Sequence, residues 1–497
     1  MRLFEILLVL SSLSLLLCVC LPRLIPQRFV VMISGASTVV LAMHLFMEGY
    51  RWQLYAVYVI VVLLLLLQLA KYVFKIKRIN IWSPVKWVVC GLLIILIGLS
   101  TVVSAYLPVF QLPRPDGPYA VGTQTFHFTD SNREEIFTER KDDKRELIVQ
   151  FWYPAAEVEQ QKTEYLLASS KNMSKQVARA YAEQMGLPGF VLEYWKYVRT
   201  NSYENAKVQP TNTPYPVILI SHGMGTGRML HTSQAEHLAS QGYIVVAANH
   251  TYSSTATELK DGTIAGSKTN FTVDQFYAPN NLVGQVWTKD VEFIIRQLGQ
   301  LNGGQIKSTL NGKLDLNKIG VMGHSFGGAT AFNAFYNNPN IKAGINMDGS
   351  LYNVDNKTKF TKPFMFMESG EYLTKKHEME TKKLTDAELA DIQLTRPQYE
   401  NMVRSVKKEY GIVDKVAQHG GTMVVVDGAG HYNFTDLQLY SSFTTFMGMT
   451  GDIKGERGAD IVNKYVLDFF NKQLKGVGGE LIKGPNPQFP EVEFPLD

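Results

Sequence analysis

Cysteine is nearly absent from this chain: three in 497 residues, Cys18, Cys20 and Cys90. All three fall in apolar stretches near the N-terminus, so the remaining four-fifths of the chain has neither a disulfide framework nor a cysteine-rich metal site. Internal repeats and low-complexity tracts are also missing, which excludes solenoids and long disordered linkers. A strong charge bias is lacking too. Residues 1–112 hold nine of the 49 Lys/Arg and two of the 45 Asp/Glu, so the rest is close to neutral. The small positive excess sits between apolar stretches, which points to lipid headgroups and away from nucleic acid.

What the first 111 residues do have is hydrophobic length. Four apolar stretches lie near 3–22, 30–49, 53–70 and 88–108, each about the roughly 20 residues needed to cross a bilayer core. The third, centred on Val59–Leu67, is the clearest, and the second is interrupted by Ser34 and His44. A cleaved signal peptide is the alternative for the first, but no A-x-A site follows it. Trp52, Tyr55, Trp82 and Trp87 lie near span ends, where an aromatic belt places them. Arg23, Arg28, Lys71, Lys75, Lys77, Arg78 and Lys86 fall in two loops, against Arg51 alone in the other. The positive-inside rule then puts those two loops in the cytoplasm, and the N-terminus and everything after residue 110 outside. The expectation is an integral protein of the cell membrane with an extracellular or periplasmic domain.

Leu112-Pro113-Arg114-Pro115-Asp116-Gly117-Pro118 is too rich in proline and glycine for a helix or central strand. It divides a membrane region, 1–111, from a second domain, 112–497. There, short apolar runs alternate with helical patterns, the signature of a mostly parallel sheet flanked by helices. Strands are expected at Leu147–Tyr153, Val217–Ser221, Ile244–Ala248, Ile319–Met322, Ala343–Met347, Pro363–Met367 and Met423–Val426. Apolar residues at helical spacing over 286–298 and 461–470 read as helix faces packed on that sheet. Two segments break the alternation. Residues 168–200 read as a polar-aromatic helix, and 374–415 as a charged helix pair opening near a capping box at Thr385–Glu388. Both are candidates for lids or substrate walls, or for surface decoration.

One stretch carries chemistry. Ile319–Met322 runs into Gly323-His324-Ser325-Phe326-Gly327-Gly328, and helix-forming residues follow. Strand, G-x-S-x-G and helix in that order are the nucleophile elbow of an α/β-hydrolase sheet, which makes Ser325 the candidate nucleophile. Such a serine needs a base later in the chain and an acid between them. Three histidines follow it. His377 and His419 sit in the charged segment, whereas His431 follows the last expected strand through Asp427-Gly428-Ala429-Gly430, where the base belongs. Two carboxylates compete as acid: Asp348, one strand after the nucleophile, and Glu368, two strands after. The pattern favours Asp348 only slightly. Backbone N–H groups of Phe326 and of Met224, in Ser221-His222-Gly223-Met224-Gly225, are the candidate oxyanion donors. His222 and His324 read as packing residues.

With these residues placed, the chain resembles the group II platelet-activating factor acetylhydrolase family over about residues 112–475. The likeness runs through Pro118–Thr123, Arg133-Glu134-Glu135, Val149–Pro154, Ser221–Gly225, Leu238–Tyr243 and Gly323–Gly328. It implies Asp348 as the acid, His431 as the base and Met224 as the second oxyanion donor. It also implies a serine esterase acting on phospholipids with short or oxidised sn-2 acyl chains, with no cofactor and no metal. The implied partners are a lipid or small ester substrate and a membrane. The chain departs from the secreted animal enzymes in its four spans, and in Asn249-His250-Thr251-Tyr252 where they carry an acidic-His-Arg run. Rival readings are a broad carboxylesterase or polyester hydrolase, and a membrane sensor or scaffold with a silent hydrolase domain.

Overall fold

The computed structural model describes residues 1–76, 83–140, 142–156, 158, 161–167, 171–269, 273–277, 281–354, 357, 362–381 and 383–495. Lys77, Arg78 and Trp82, with residues 168–170 and 382 of the two irregular segments, lie outside that set. The chain separates into two compact units, Met1–Phe110 and Gln111–Asp497.

The first unit contains four helices long and apolar enough to cross a membrane: Leu3–Cys20, Gln27–Glu48, Trp52–Val73 and Pro84–Tyr106. Leucines and valines on their facing sides make one core, with Leu8, Leu15, Val57 and Val61 fully buried. Cys20 is paired with Cys90 in a disulfide. His44, one of the polar interruptions of the apolar stretches, is satisfied inside the bundle. His44 bonds Glu48 through Nδ1 at 3.0 Å and the Tyr58 hydroxyl through Nε2 at 2.8 Å. Arg51, fully buried, pairs with Glu5 at 2.8 Å. A buried ion pair in an apolar bundle persists only when both partners are matched in this way.

The second unit is built on a twelve-stranded mixed sheet. Its strands are β1 (Ala120–Glu134), β2 (Lys144–Ala156), β3 (Thr163–Tyr165), β4 (Arg199–Glu204), β5 (Lys207–Val208), β6 (Tyr215–Ser221) and β7 (Ile244–Asn249). After a separate hairpin, β8 (Ala256–Glu258) with β9 (Ile264–Gly266), come β10 (Leu314–His324), β11 (Ile341–Met347), β12 (Phe364–Ser369), β13 (Thr422–Val426) and β14 (Val492–Glu493). The order is β14-β13-β12-β11-β10-β6-β7-β2-β1-β4-β3, with β5 on β2. The six strands from β13 to β7 are parallel, and β2 and β14 close them in antiparallel register.

Every residue of β6, β7 and β12 is buried, because helices cover both faces of a parallel sheet. The side chains still alternate. Val217 and Leu219 join Ile294 and Leu298 of helix Leu282–Asn302 on one face. Ile218 and Ile220 join Val462 and Phe469 of helix Gly455–Phe470 on the other. All seven expected strands are present, and so are both expected helix faces. The sequence pattern misses β1, the longest strand. Its exposed positions are Thr125, Thr129, Ser131, Asn132 and Glu134, and it follows the proline-rich linker, so no apolar run marks it. The segment 374–415 holds three helices where a pair was expected: Tyr372–Thr381, Asp386–Asp391 and Arg396–Gln418. The Thr385–Glu388 capping box does form, with a second at Thr395–Gln398. In the other segment, helix Lys171–Gln184 carries Tyr181 but ends before Tyr194 and Trp195, which lie in a short 3-10 turn, Glu193–Tyr197.

Candidate active site

The carboxyl ends of the parallel strands deliver the predicted residues to one place, as an open α/β sheet does. β10 turns at Ser325 into helix Phe326–Asn337, and Ser325 is held at φ 56°, ψ −125°. A non-glycine residue is strained there, and the turn closes only because its neighbours lack side chains. A Cβ on Gly323 would stand 2.2 Å from the Gly327 carbonyl oxygen, and one on Gly327 2.2 Å from that of Ser221. The Ser325 N–H donates to the Met347 carbonyl at 2.9 Å, which ties the elbow to the end of β11.

Asp348 follows that strand end, also at positive φ (50°). Its Oδ1 accepts the Ser369 N–H at 2.9 Å and its Oδ2 lies 2.6 Å from His431 Nδ1. Burial alone would raise this carboxyl. The hydrogen bond and charge of His431 and the Ser369 N–H outweigh it, holding Asp348 at about 2. Asp348 is therefore an anion, and Nδ1 of His431 is the nitrogen that donates. His431 begins a short 3-10 turn, His431–Phe434, in the loop after β13; its carbonyl accepts from Nε2 of buried His324 at 2.9 Å. The competing acid, Glu368, is buried beside Asp348. Burial, then the negative charge of Asp348, drive its pKa well above the ordinary carboxylate range, so it is a neutral acid. His377 and His419 are exposed on the segment after β12.

Met224 lies in the turn after β6, pinned by Gly225 N–H to Ser253 O at 2.9 Å and Thr226 N–H to Gly223 O at 3.1 Å. Among the described residues none accepts the Met224 N–H. Ser325, Asp348, His431, Met224 and Phe326 all line one cavity of about 690 Å³. The rest of its wall comes largely from the segment after β12, including Tyr372, Met379, Met402 and Glu409. Of the two segments the sequence left open, this one shapes the cavity. Residues 171–200 instead brace the turn, with Gln184 Nε2 donating to Gly225 O at 2.6 Å.

Sequence reasoning missed a second arrangement behind that turn. His250 Nδ1 lies 2.9 Å from Asp290 Oδ2, and its Nε2 lies 3.3 Å from Ser221 Oγ. It also missed Glu409, whose signal was there to read: a carboxylate on the apolar face of its helix, between Val406 and Ile412.

A largely parallel sheet, a serine elbow at the end of its central strand and a cavity over the strand ends define an α/β-hydrolase. The chain is a carboxylic ester hydrolase of that fold. A family profile for platelet-activating factor acetylhydrolase, isoform II, matches residues 105–477, and the chain belongs to this family. A probable 1-alkyl-2-acetylglycerophosphocholine esterase of Arthroderma benhamiae is 24% identical over 424 residues, covering 81% of this chain and 98% of that protein. A platelet-activating factor acetylhydrolase of Cavia porcellus is 25% identical over 394 residues, covering 73% and 78%. Among solved structures, a ferulic acid esterase from Streptomyces cinnamoneus superposes with a TM-score of 0.58 at 24% identity, covering 78% of this chain and all of that one. That likeness speaks for the fold.

Proposed function

We propose that Ser325, His431 and Asp348 are the nucleophile, base and acid of a serine esterase that cleaves short or oxidised sn-2 acyl chains from phospholipids. The observation that carries this reading is the 2.6 Å bond from His431 Nδ1 to Asp348 Oδ2 on the cavity that Ser325 lines. Ser325 Oγ attacks the ester carbonyl carbon while His431 Nε2 takes its proton. The N–H groups of Met224 and Phe326 hold the oxyanion. On collapse the lysophospholipid alkoxide leaves with the proton from His431. Water, activated by the same imidazole, then hydrolyses the acyl-enzyme. Asp348 fixes the tautomer and stabilises the imidazolium.

The substrate class is supported by the names of the fungal and guinea-pig relatives. Partitioning agrees with it: each buried CH₂ retains a lipid in the bilayer by about 0.8 kcal/mol, so short-chain lipids reach a cavity more readily. The test is a series of sn-2 esters of increasing length, offered below and above their aggregation limits. kcat/KM should fall steeply from acetyl toward long acyl. Equal efficiency on long chains would replace this reading with a general lipase. A broad carboxylesterase is the second reading, favoured by the apolar methionines, Met224, Met379 and Met402, on the cavity wall. It requires p-nitrophenyl butyrate to outrun every phospholipid. A silent domain requires that a fluorophosphonate leave Ser325 unlabelled.

The four apolar helices act as spans of the cell membrane on this reading, with residues after 111 exported by the loop charges. Protease added to intact cells should digest that domain; protection until lysis would invert the topology.

A further inference from the structure

Ester cleavage calls for one carboxylate behind the base, and this site has two carboxyls in contact. Asp348 and Glu368 follow each other across neighbouring parallel strands, with Met347 beside Met367 in the register. Both chain neighbours of Glu368 are tied to Asp348. The Asp348 N–H donates to the Met367 carbonyl at 2.8 Å, and Asp348 Oδ1 accepts the Ser369 N–H at 2.9 Å. The Glu368 carboxyl, 6% exposed, is hydrogen-bonded to Asp348. Two ionised carboxylates repel and have no donor between them, so a pair in such contact keeps one proton. Asp348 faces His431 at 2.6 Å, which makes Asp348 the anion of the pair and leaves the proton on Glu368.

We propose that Glu368 is a positioning residue of the ester-cleaving site: its carboxylic O–H donates to Asp348 and so moderates the hold of Asp348 on an imidazolium at His431. This role rests on the esterase reading, because it acts through the base that Ser325 needs. Asp348 already accepts from His431 and from the Ser369 N–H and hydroxyl. Each further donor lowers the basicity of a carboxylate and weakens its pull on a proton nearby. With the Glu368 donor in place, the imidazole sheds its proton more readily and stays free to act as base in more acidic water. A second anion at that position would do the opposite, holding the imidazolium and idling the enzyme there.

The surroundings keep the proton on Glu368. Asp348 acts on it from the end of β11, with His431 beyond. Glu409 and Tyr410 interact with it from helix Arg396–Gln418, and Tyr372 and Lys375 from helix Tyr372–Thr381. Lys375 is already bound to Glu371 at 2.8 Å. Glu409 is raised to about 8 by burial, so it is uncharged at neutral pH. Burial, then Asp348 and Glu409, hold Glu368 well above the ordinary carboxylate range. The row Asp348, Glu368, Glu409 thus carries one negative charge at neutral pH, and it sits on the carboxyl that touches His431.

The test is the acid limb of the pH profile, measured on the full chain in detergent micelles. It is read from p-nitrophenyl butyrate hydrolysis and from the rate of fluorophosphonate labelling of Ser325. Glu368→Met keeps the length of the side chain and removes the donor. Its acid limb should move to higher pH by about half a unit or more. Glu368→Gln keeps an N–H donor toward Asp348 and should bring the limb back toward wild type. A limb that stays fixed in Glu368→Met would reduce Glu368 to packing and overturn the role. A limb that moves to lower pH in both variants would mean that Glu368 works as an anion, and would overturn it too. Should Glu368→Met fail to fold, an infrared difference spectrum of wild type against Glu368→Gln at pH 7 decides. The carbonyl stretch of one protonated carboxylic acid should be present in the wild type and missing from the variant. Labelling of Ser325 without that band removes the role alone. The band without labelling removes the esterase reading, and the role with it, while the shared proton stands.

Discussion

Two Ser–His–Asp arrangements share one sheet, and only one of them faces a cavity. In the buried one, Ser221, His250 and Asp290 are 2%, 1% and 0% exposed, and their hydrogen bonds run in the order a serine hydrolase uses. Connectivity therefore does not tell the two apart; the surroundings do. Ser325 is at positive φ on an elbow, while Ser221 ends an ordinary strand. Asp348 answers His431 and one backbone N–H. Asp290 is gripped by Arg145 at 2.6 and 3.1 Å and by Arg133 at 2.8 Å, so its charge is already neutralised. Burial, reinforced by those arginines, lowers the His250 pKa although Asp290 pulls the other way, so an imidazolium is disfavoured there. Trp287 stacks on the ring with centroids 3.9 Å apart and shuts out substrate. What the buried group does is hold the turn that carries Met224. The His250 N–H donates to His222 Nε2 at 3.0 Å, and His222 Nδ1 donates to Gly223 O at 2.7 Å.

The serines should separate the two most sharply. Ser325→Ala should lower p-nitrophenyl butyrate hydrolysis by about 10³-fold or more and end fluorophosphonate labelling, with the melting temperature unmoved. Ser221→Ala should keep the label. A label found on Ser221 would reverse the assignment. The acids come next. Asp348→Asn should cut kcat by about 10⁴-fold, because the imidazole loses its tautomer control. Glu368→Gln should lose far less, since Glu368 is already uncharged. Asp290→Asn should act on folding, costing about 3–5 kcal/mol in denaturant titrations by leaving Arg145 buried without its main partner. If Asp290→Asn proved stable but dead, the buried group would have a chemical role.

The chemistry-bearing turns were legible because each combines an apolar strand with glycines that nothing else explains. Gly323 and Gly327 admit no side chain, and Gly225 sits at positive φ. The strands were legible for the same reason, as continuous apolar runs. Asp348 against Glu368 was legible only slightly from the pattern, because both end neighbouring strands on the same side of the site; the family resemblance is what favoured Asp348, and the His431 loop lies against it at 2.6 Å. The buried arrangement was hidden by distance in the chain: Ser221, His250 and Asp290 come together only through β6, β7 and helix Leu282–Asn302. The role of 374–415 was equally hidden, since charged helices over a cavity and charged helices on a surface have the same periodicity.

The smallest expected effect concerns the histidine between the two arrangements. His231 is fully buried, its Nδ1 bonded to Gln234 Oε1 at 2.9 Å, and a charge on it would repel both His222 and His324. Burial lowers it to about 4, against a slight upward pull from Gln234. Unfolded, it takes its proton near pH 6.5. Between those values the unfolded chain binds the extra proton, so stability rises with pH; it is complete above about 6.5 and lost as pH falls through about 4. The shift corresponds to roughly 3 kcal/mol when fully expressed. His231→Gln removes the titration and leaves a hydrogen-bonding side chain in place. Denaturant titrations of the two proteins at pH 7.5, 6, 5 and 4.5 should show the wild-type advantage shrinking step by step toward acid. A gap that stays constant over that range would mean that His231 takes up its proton as readily in the folded protein as in the unfolded chain, and that neither arrangement depends on its neutrality.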